Sequence, residues 1–138
     1  MQNAAYQEYK KQSVMTMTPA DMLIKLYDEC LAMLQLGVMY MDENNIEQRF
    51  ESLKKAREIL CYLREILNMD YEISQNLFAL YEYYITQIVD ANTHVKKEPI
   101  LEVIEMLTEL RDSFVEADKM TRKPPQQTTT PVSVIMQG

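Results

Sequence analysis

Apolar side chains recur along this chain at steps of three, four and seven, the spacing that lines one face of an α-helix. Four segments carry the pattern. The first opens at Thr18-Pro19-Ala20-Asp21: a hydroxyl to take an orphan backbone N–H, a proline at the first helical position, and an acid beside the positive helix end. It predicts a helix to about Met41, with Met22, Leu23, Leu26, Tyr27, Cys30, Leu34 and Val38 in register and Asp42 to Asn45 as the break. A second helix is predicted from about Ile46 to Leu67 on Ile46, Phe50, Leu53, Leu60, Leu63 and Leu67, with Ala56 letting a neighbour approach. The third covers about Tyr71 to His94. The fourth begins near Pro99 and runs to about Ala117 through Ile100, Val103, Ile104, Leu107, Leu110 and Phe114.

Short connections between helices of about twenty residues make sequential helices antiparallel neighbours. The fold class expected is all-α: an antiparallel up-down four-helix bundle over residues 18–118. Residues 1–17 form an N-terminal segment with enough apolar side chains to dock but not to fold alone. Residues 119–138, rich in proline, threonine and glutamine, are expected to be disordered or extended.

Two of the four helices carry more apolar face than one core requires. On the third, Leu77, Leu80, Tyr81, Tyr84, Ile88 and Ala91 share a face. Phe78, Ile85 and Val89 fall beside it and widen the arc to roughly 180°, where a core-facing stripe needs about 100°. The first helix sweeps about 200°, from Met22 through Leu26, Leu34 and Tyr27 to Leu31 and Ile24. Contiguous apolar surface of that size has a use in most soluble proteins. It can be a homodimer seam, a dock for the chain's own N-terminal segment, or a groove for another chain's helix; the plain alternative is a helix enclosed on both sides. Tyr27, Tyr81 and Tyr84 suit a boundary with an apolar floor and a wet edge, because a buried hydroxyl needs a partner.

Composition narrows the functions. With 47% hydrophobic and 25% charged residues the chain reads as an ordinary globular domain, and a net charge of −7 argues against nucleic acid. No apolar run is long enough to span a membrane and the first residues lack a secretory pattern, so a cytoplasmic location is expected. Cys30 and Cys61 read as free, small core hydrophobes. The acids of the fourth helix, from Glu102 to Glu116, read as a solvated face.

Catalytic arrangements are absent from the pattern. A single histidine and two distant cysteines offer neither a carboxylate-bridged nor a zinc site, and no phosphate loop or nucleophile elbow occurs. No cofactor and no metal are expected, and the chain reads as a non-enzyme. The rival is a histidine phosphotransfer bundle, since Lys97 follows His94 by three residues. Pro99, however, places His94 at a helix end rather than in mid-helix, and Glu98 stands where that motif has glycine.

Taken together, four pieces of the sequence resemble the flagellin export chaperone family, FliS. They are Ala5-Tyr6-Gln7-Glu8-Tyr9, the run from Thr18-Pro19 to Leu26-Tyr27-Asp28, Ala56, and Asn76-Leu77 to Leu80-Tyr81-Glu82-Tyr83 closed by Ala91-Asn92. The resemblance covers about residues 4 to 117. It implies a cytoplasmic, non-catalytic helical chaperone that binds the disordered C-terminal segment of flagellin in apolar grooves. The client is thereby kept from polymerising early and is passed to the flagellar type III export gate. Combined with wheel position, it points to Tyr27, Leu31, Phe78, Tyr81, Ile85 and Val89 as client contacts and to Asn92 as a polar anchor. Tyr6 and Tyr9 match the family's N-terminal pair and would act as a displaceable cover. The chain departs from the family in lacking the two glycines often found between the second and third helices, and in carrying Phe114 where tryptophan is common.

Overall fold

A computed structural model describes residues 17–122. They form four helices: α1 (Pro19–Asp42), α2 (Ile46–Glu65), α3 (Glu72–His94) and α4 (Glu98–Arg122). Helix α1 starts where the sequence says it must. The Asp21 N–H donates to Thr18 Oγ1 at 3.1 Å and the Thr18 N–H to Asp21 Oδ2 at 3.4 Å, with Pro19 in the first turn. Asn44 then turns the chain with φ of 57°, a conformation asparagine tolerates. Asn45 caps α2 by accepting the Gln48 N–H at 3.2 Å. Val95, after the last residue of α3, adopts φ of 53°, which strains a β-branched side chain.

The helices close into a ring. Helix α1 packs on α2 and α4, and α3 packs on the same two, so α1 and α3 face each other across the diagonal. The core takes Leu23, Tyr27, Cys30 and Leu34 from α1 and Leu53, Leu60 and Leu63 from α2. Leu77, Tyr81, Tyr84 and Ile88 enter from α3, and Ile100, Val103, Leu107 and Phe114 from α4. Each such aliphatic side chain contributes about 1.5–3 kcal/mol by leaving water. Helix α1 takes Leu53 of α2 against Gly37, where an added Cβ would lie 2.4 Å from Leu53 Cδ2. Polar links close the outside of the ring. Arg111 donates from Nε and Nη2 to the two oxygens of Asp28, at 2.8 and 3.3 Å, and Lys97 reaches Asp42 at 2.9 Å.

Three sequence expectations are corrected. Helix α4 runs to Arg122, so residues 119–122, expected in the tail, are helical; nothing in Lys119-Met120-Thr121-Arg122 breaks a helix before Pro124. Ile46 and Phe50, counted with the core stripe of α2, are exposed. Ile46 shares the line of Leu53 and Leu60 but is the first residue of the helix, whereas Phe50 sits at the edge of the stripe. Cys30 is buried as expected, while Cys61 is only half-buried.

Candidate functional site

Two aromatic sets that look alike in sequence have opposite fates. Tyr27 and Tyr81, both predicted as client contacts, lie in the core with 0% and 1% exposure. Their hydroxyls bond each other at 2.6 Å across the bundle diagonal, their rings meet edge-on at 6.5 Å, and Phe114 sits 5.9 Å from Tyr27. The expectation of a wet boundary is therefore corrected: one hydroxyl donates to the other inside the core. Burial, then the neighbouring Tyr81, holds the Tyr27 phenol well above its ordinary pKa; burial likewise raises Tyr81 and pushes Tyr84 up to about 12. Cys30 beside them is pushed up to about 12 by the same cause, so its thiol stays protonated and inert.

Leu31 is half-buried and packs against the core. It lies one turn after Asp28, the α1 residue bound by Arg111 of α4, and so is not part of the α3 outer edge.

The remaining predicted residues do come together. Phe78, Ile85, Val89 and Asn92 follow one another at steps of seven, four and three on the α3 edge facing α2, with Phe78 37% and Val89 43% exposed and Ile85 half-buried. Phe50 of α2, 49% exposed, meets them from the other side. Between these helices Phe50, Leu53, Arg57, Ile88, Val89 and Asn92 enclose a cleft of about 30 Å³, enough for one small apolar group. The edge continues over the outer side of α3, where Ile85, Thr86, Val89, Asp90, Thr93 and His94 line a shallow depression of about 380 Å³.

Polar bridges bracket this edge. The Arg49 Nε–H donates to Asn92 Oδ1 at 3.1 Å, so the predicted anchor already holds a cation through its oxygen. Near the other end Arg64 pairs with Glu82 and lies 6.0 Å from the centre of the Phe78 ring. The sequence reading missed what α2 supplies: Phe50, Arg49, Arg57 and Arg64. A signal was there, because Phe50, Arg57 and Arg64 repeat every seven residues and so share one line along the helix. A second groove of about 400 Å³ lies between α1 and α2, lined by Glu29, Ala32, Met33, Lys55, Glu58 and Ile59, and was also not anticipated.

His94, the basis of the phosphotransfer rival, is the last residue of α3. It is exposed, with Nδ1 2.9 Å from Asp90 Oδ1 one turn back. Tyr6 and Tyr9 lie outside the described residues. Among the described residues no helix is long and apolar enough to cross a membrane.

Comparison with known proteins shows the family of the chain. The family model described as Flagellar protein FliS matches residues 1–121. The chain belongs to the FliS family. It is 31% identical over 118 residues to the flagellar secretion chaperone FliS of Bacillus subtilis (strain 168), covering 86% of this chain and 89% of that one. The FliS chaperone of Vibrio cholerae is 31% identical over 114 residues, covering 78% of this chain and 84% of its own length. That of Escherichia coli (strain K12) is 29% identical over 108 residues, at 76% and 79% coverage. A crystal structure of a bacterial flagellar chaperone superposes with a TM-score of 0.71 at 23% identity, covering 87% of this chain and 99% of the other, and so shares the fold. Membership in a FliS family of secretion chaperones implies a partner protein.

Proposed function

We propose that this FliS-family chain holds the C-terminal segment of flagellin along the α2–α3 edge in the cytoplasm, blocks its premature polymerisation, and assists its delivery to the flagellar export apparatus. The observation that carries the reading is the line Phe78, Ile85 and Val89, partly open along one edge of α3 and joined across the cleft by the exposed Phe50 of α2. A disordered client would fold into a helix there, laying its apolar face against this line. If it buried about 1,000 Å² of apolar surface the gross gain would be about 25 kcal/mol, much of it offset by ordering the client. Binding of that kind is firm yet reversible and involves no catalysis. Tyr6 and Tyr9, from the segment before α1, would cover part of the same edge until the client displaces them.

Titration of the full chain with the C-terminal segment of the same organism's flagellin tests the reading. One-to-one heat release with a gain of helical circular dichroism is expected, and Phe78→Asp or Val89→Asp abolishes both without lowering the melting temperature. Flat calorimetry with unchanged dichroism would refute it. Sedimentation decides against the competing homodimer use of the edge if the free chain remains a monomer at every concentration. Phosphotransfer from a response regulator to His94, detected by labelling, would instead favour the rival enzyme reading.

A further inference from the structure

Three arginines of α2 point along the seam with α3, spaced by about two helical turns: Arg49, Arg57 and Arg64. The outer two have acceptors on α3, Asn92 and Glu82. The middle one has none among the described residues, although it is half-buried in the cleft with Phe50, Leu53, Ile88 and Val89. Its own helix cannot help, because the positions three and four residues away are Leu53, Lys54, Leu60 and Cys61. On α3, Glu82 is paired with Arg64, and among the described residues no α3 side chain makes a hydrogen bond or ion pair to Arg57. In a protein of net charge −7, the cleft between α2 and α3 is thus rimmed by two cations, Lys54 and Arg57.

We propose that Arg57 is a specificity-determining contact, selecting a partner helix that carries a carboxylate side chain within one turn of the apolar residues it sets against Phe50, Ile85 and Val89. The inference rests on the reading of the α2–α3 edge as the client's dock and adds the chemistry by which that dock chooses. Two effects act in the same direction. A carboxylate meets the guanidinium fork with paired, charge-assisted hydrogen bonds as water leaves the cleft. A helix without one covers Arg57 and strips its hydration with nothing in return, which penalises the wrong partner. The short polar bridges at Asn92 and Glu82 hold α2 and α3 at fixed spacing, so the guanidinium is presented at one height along the groove. That height sets the register of the bound helix.

The test uses the full-length chain and the C-terminal segment of its own organism's flagellin, together with variants of that segment in which each Asp or Glu is changed singly to Asn or Gln. Arg57→Gln should weaken binding roughly tenfold to a hundredfold and flatten its salt dependence. One amide variant of the peptide should lose as much against the wild-type chain and nothing further against Arg57→Gln. Arg57→Glu should reject the native peptide and accept the one in which that same carboxylate is replaced by lysine. Circular dichroism melts keep a folding defect separate from a binding one. If Arg57→Gln and Arg57→Glu bind like wild type while Val89→Asp does not, the inference is overturned and the docking edge stands. Equal binding by every peptide variant overturns it too. If the wild-type chain binds no flagellin segment, or Val89→Asp binds as well as wild type, the edge itself is misassigned and the inference falls with it.

Discussion

The diagonal between α1 and α3 and the edge between α2 and α3 use the same kind of side chain for opposite purposes. Across the diagonal, Tyr27 and Tyr81 bury both rings and close their hydroxyls on each other at 2.6 Å. On the edge, Phe78 and Val89 remain open to solvent although they adjoin Leu77, Tyr81 and Ile88 on the same helix. The width of an apolar arc measures how much greasy surface a helix owns; the neighbours decide how much of it is left over. A ring of four helices gives α3 two packed flanks and a shared centre, which absorbs the tyrosines. Phe78, Ile85 and Val89 fall on the rim of the α2–α3 contact, where α2 covers them only in part.

The largest way to break the contrast is alkali. Tyr27, Tyr81, Tyr84 and Cys30 all have folded-state pKa values raised by burial. Ionisation is therefore easier in the unfolded chain. Their contribution is fully present below about pH 9 for Cys30 and about pH 10 for the tyrosines, and fades as pH climbs toward the folded values, about 12 for Cys30 and Tyr84. Each group removes about 1.4 kcal/mol per pH unit inside its window. Denaturant midpoints measured from pH 8 to 11 should be level to about 9 and then collapse; a flat profile means the tyrosines are not buried as described.

Next comes Tyr81→Ala, which leaves a cavity at the centre and should cost about 3–5 kcal/mol by the same denaturation assay. Smaller effects follow when only the hydroxyls are removed. Tyr27→Phe or Tyr81→Phe alone strands one buried hydroxyl and should cost about 1–3 kcal/mol, whereas the double Phe variant should return close to wild type. Additive losses in that cycle would deny the pairing. The smallest change is expected on the open side. Phe78→Asp should shift stability by no more than about 0.5 kcal/mol, in line with a side chain that the fold does not need. A loss of several kcal/mol there would place Phe78 in the core and end its candidacy for docking.

How far the chain could be understood before folding differs between these regions for physical reasons. The helices, the Thr18 cap and the bundle class were legible because helical period, proline and capping residues act locally. That Phe78, Ile85, Val89 and Asn92 share one edge was legible because all lie on one helix and share its phase. Tyr27 was assigned to the surface because its partner Tyr81 stands 54 residues away, and no local pattern announces that two hydroxyls will bond each other. The place of Arg57 in the α2–α3 cleft was not legible because it depends on which α3 side chains stand opposite it. The end of α4 was set too early because polar composition was read as disorder, while helix geometry continued until proline forbade it.

The bidentate grip of Arg111 on Asp28 joins the two ends of the ring across 83 positions of chain. Synthesis proceeds from the amino end at about 5–20 residues per second, so Asp28 waits several seconds for its mate, and Tyr27 waits as long for Phe114. Until the last helix leaves the ribosome, α1 keeps one flank bare. A message truncated within α4 would thus yield a sticky, protease-sensitive fragment.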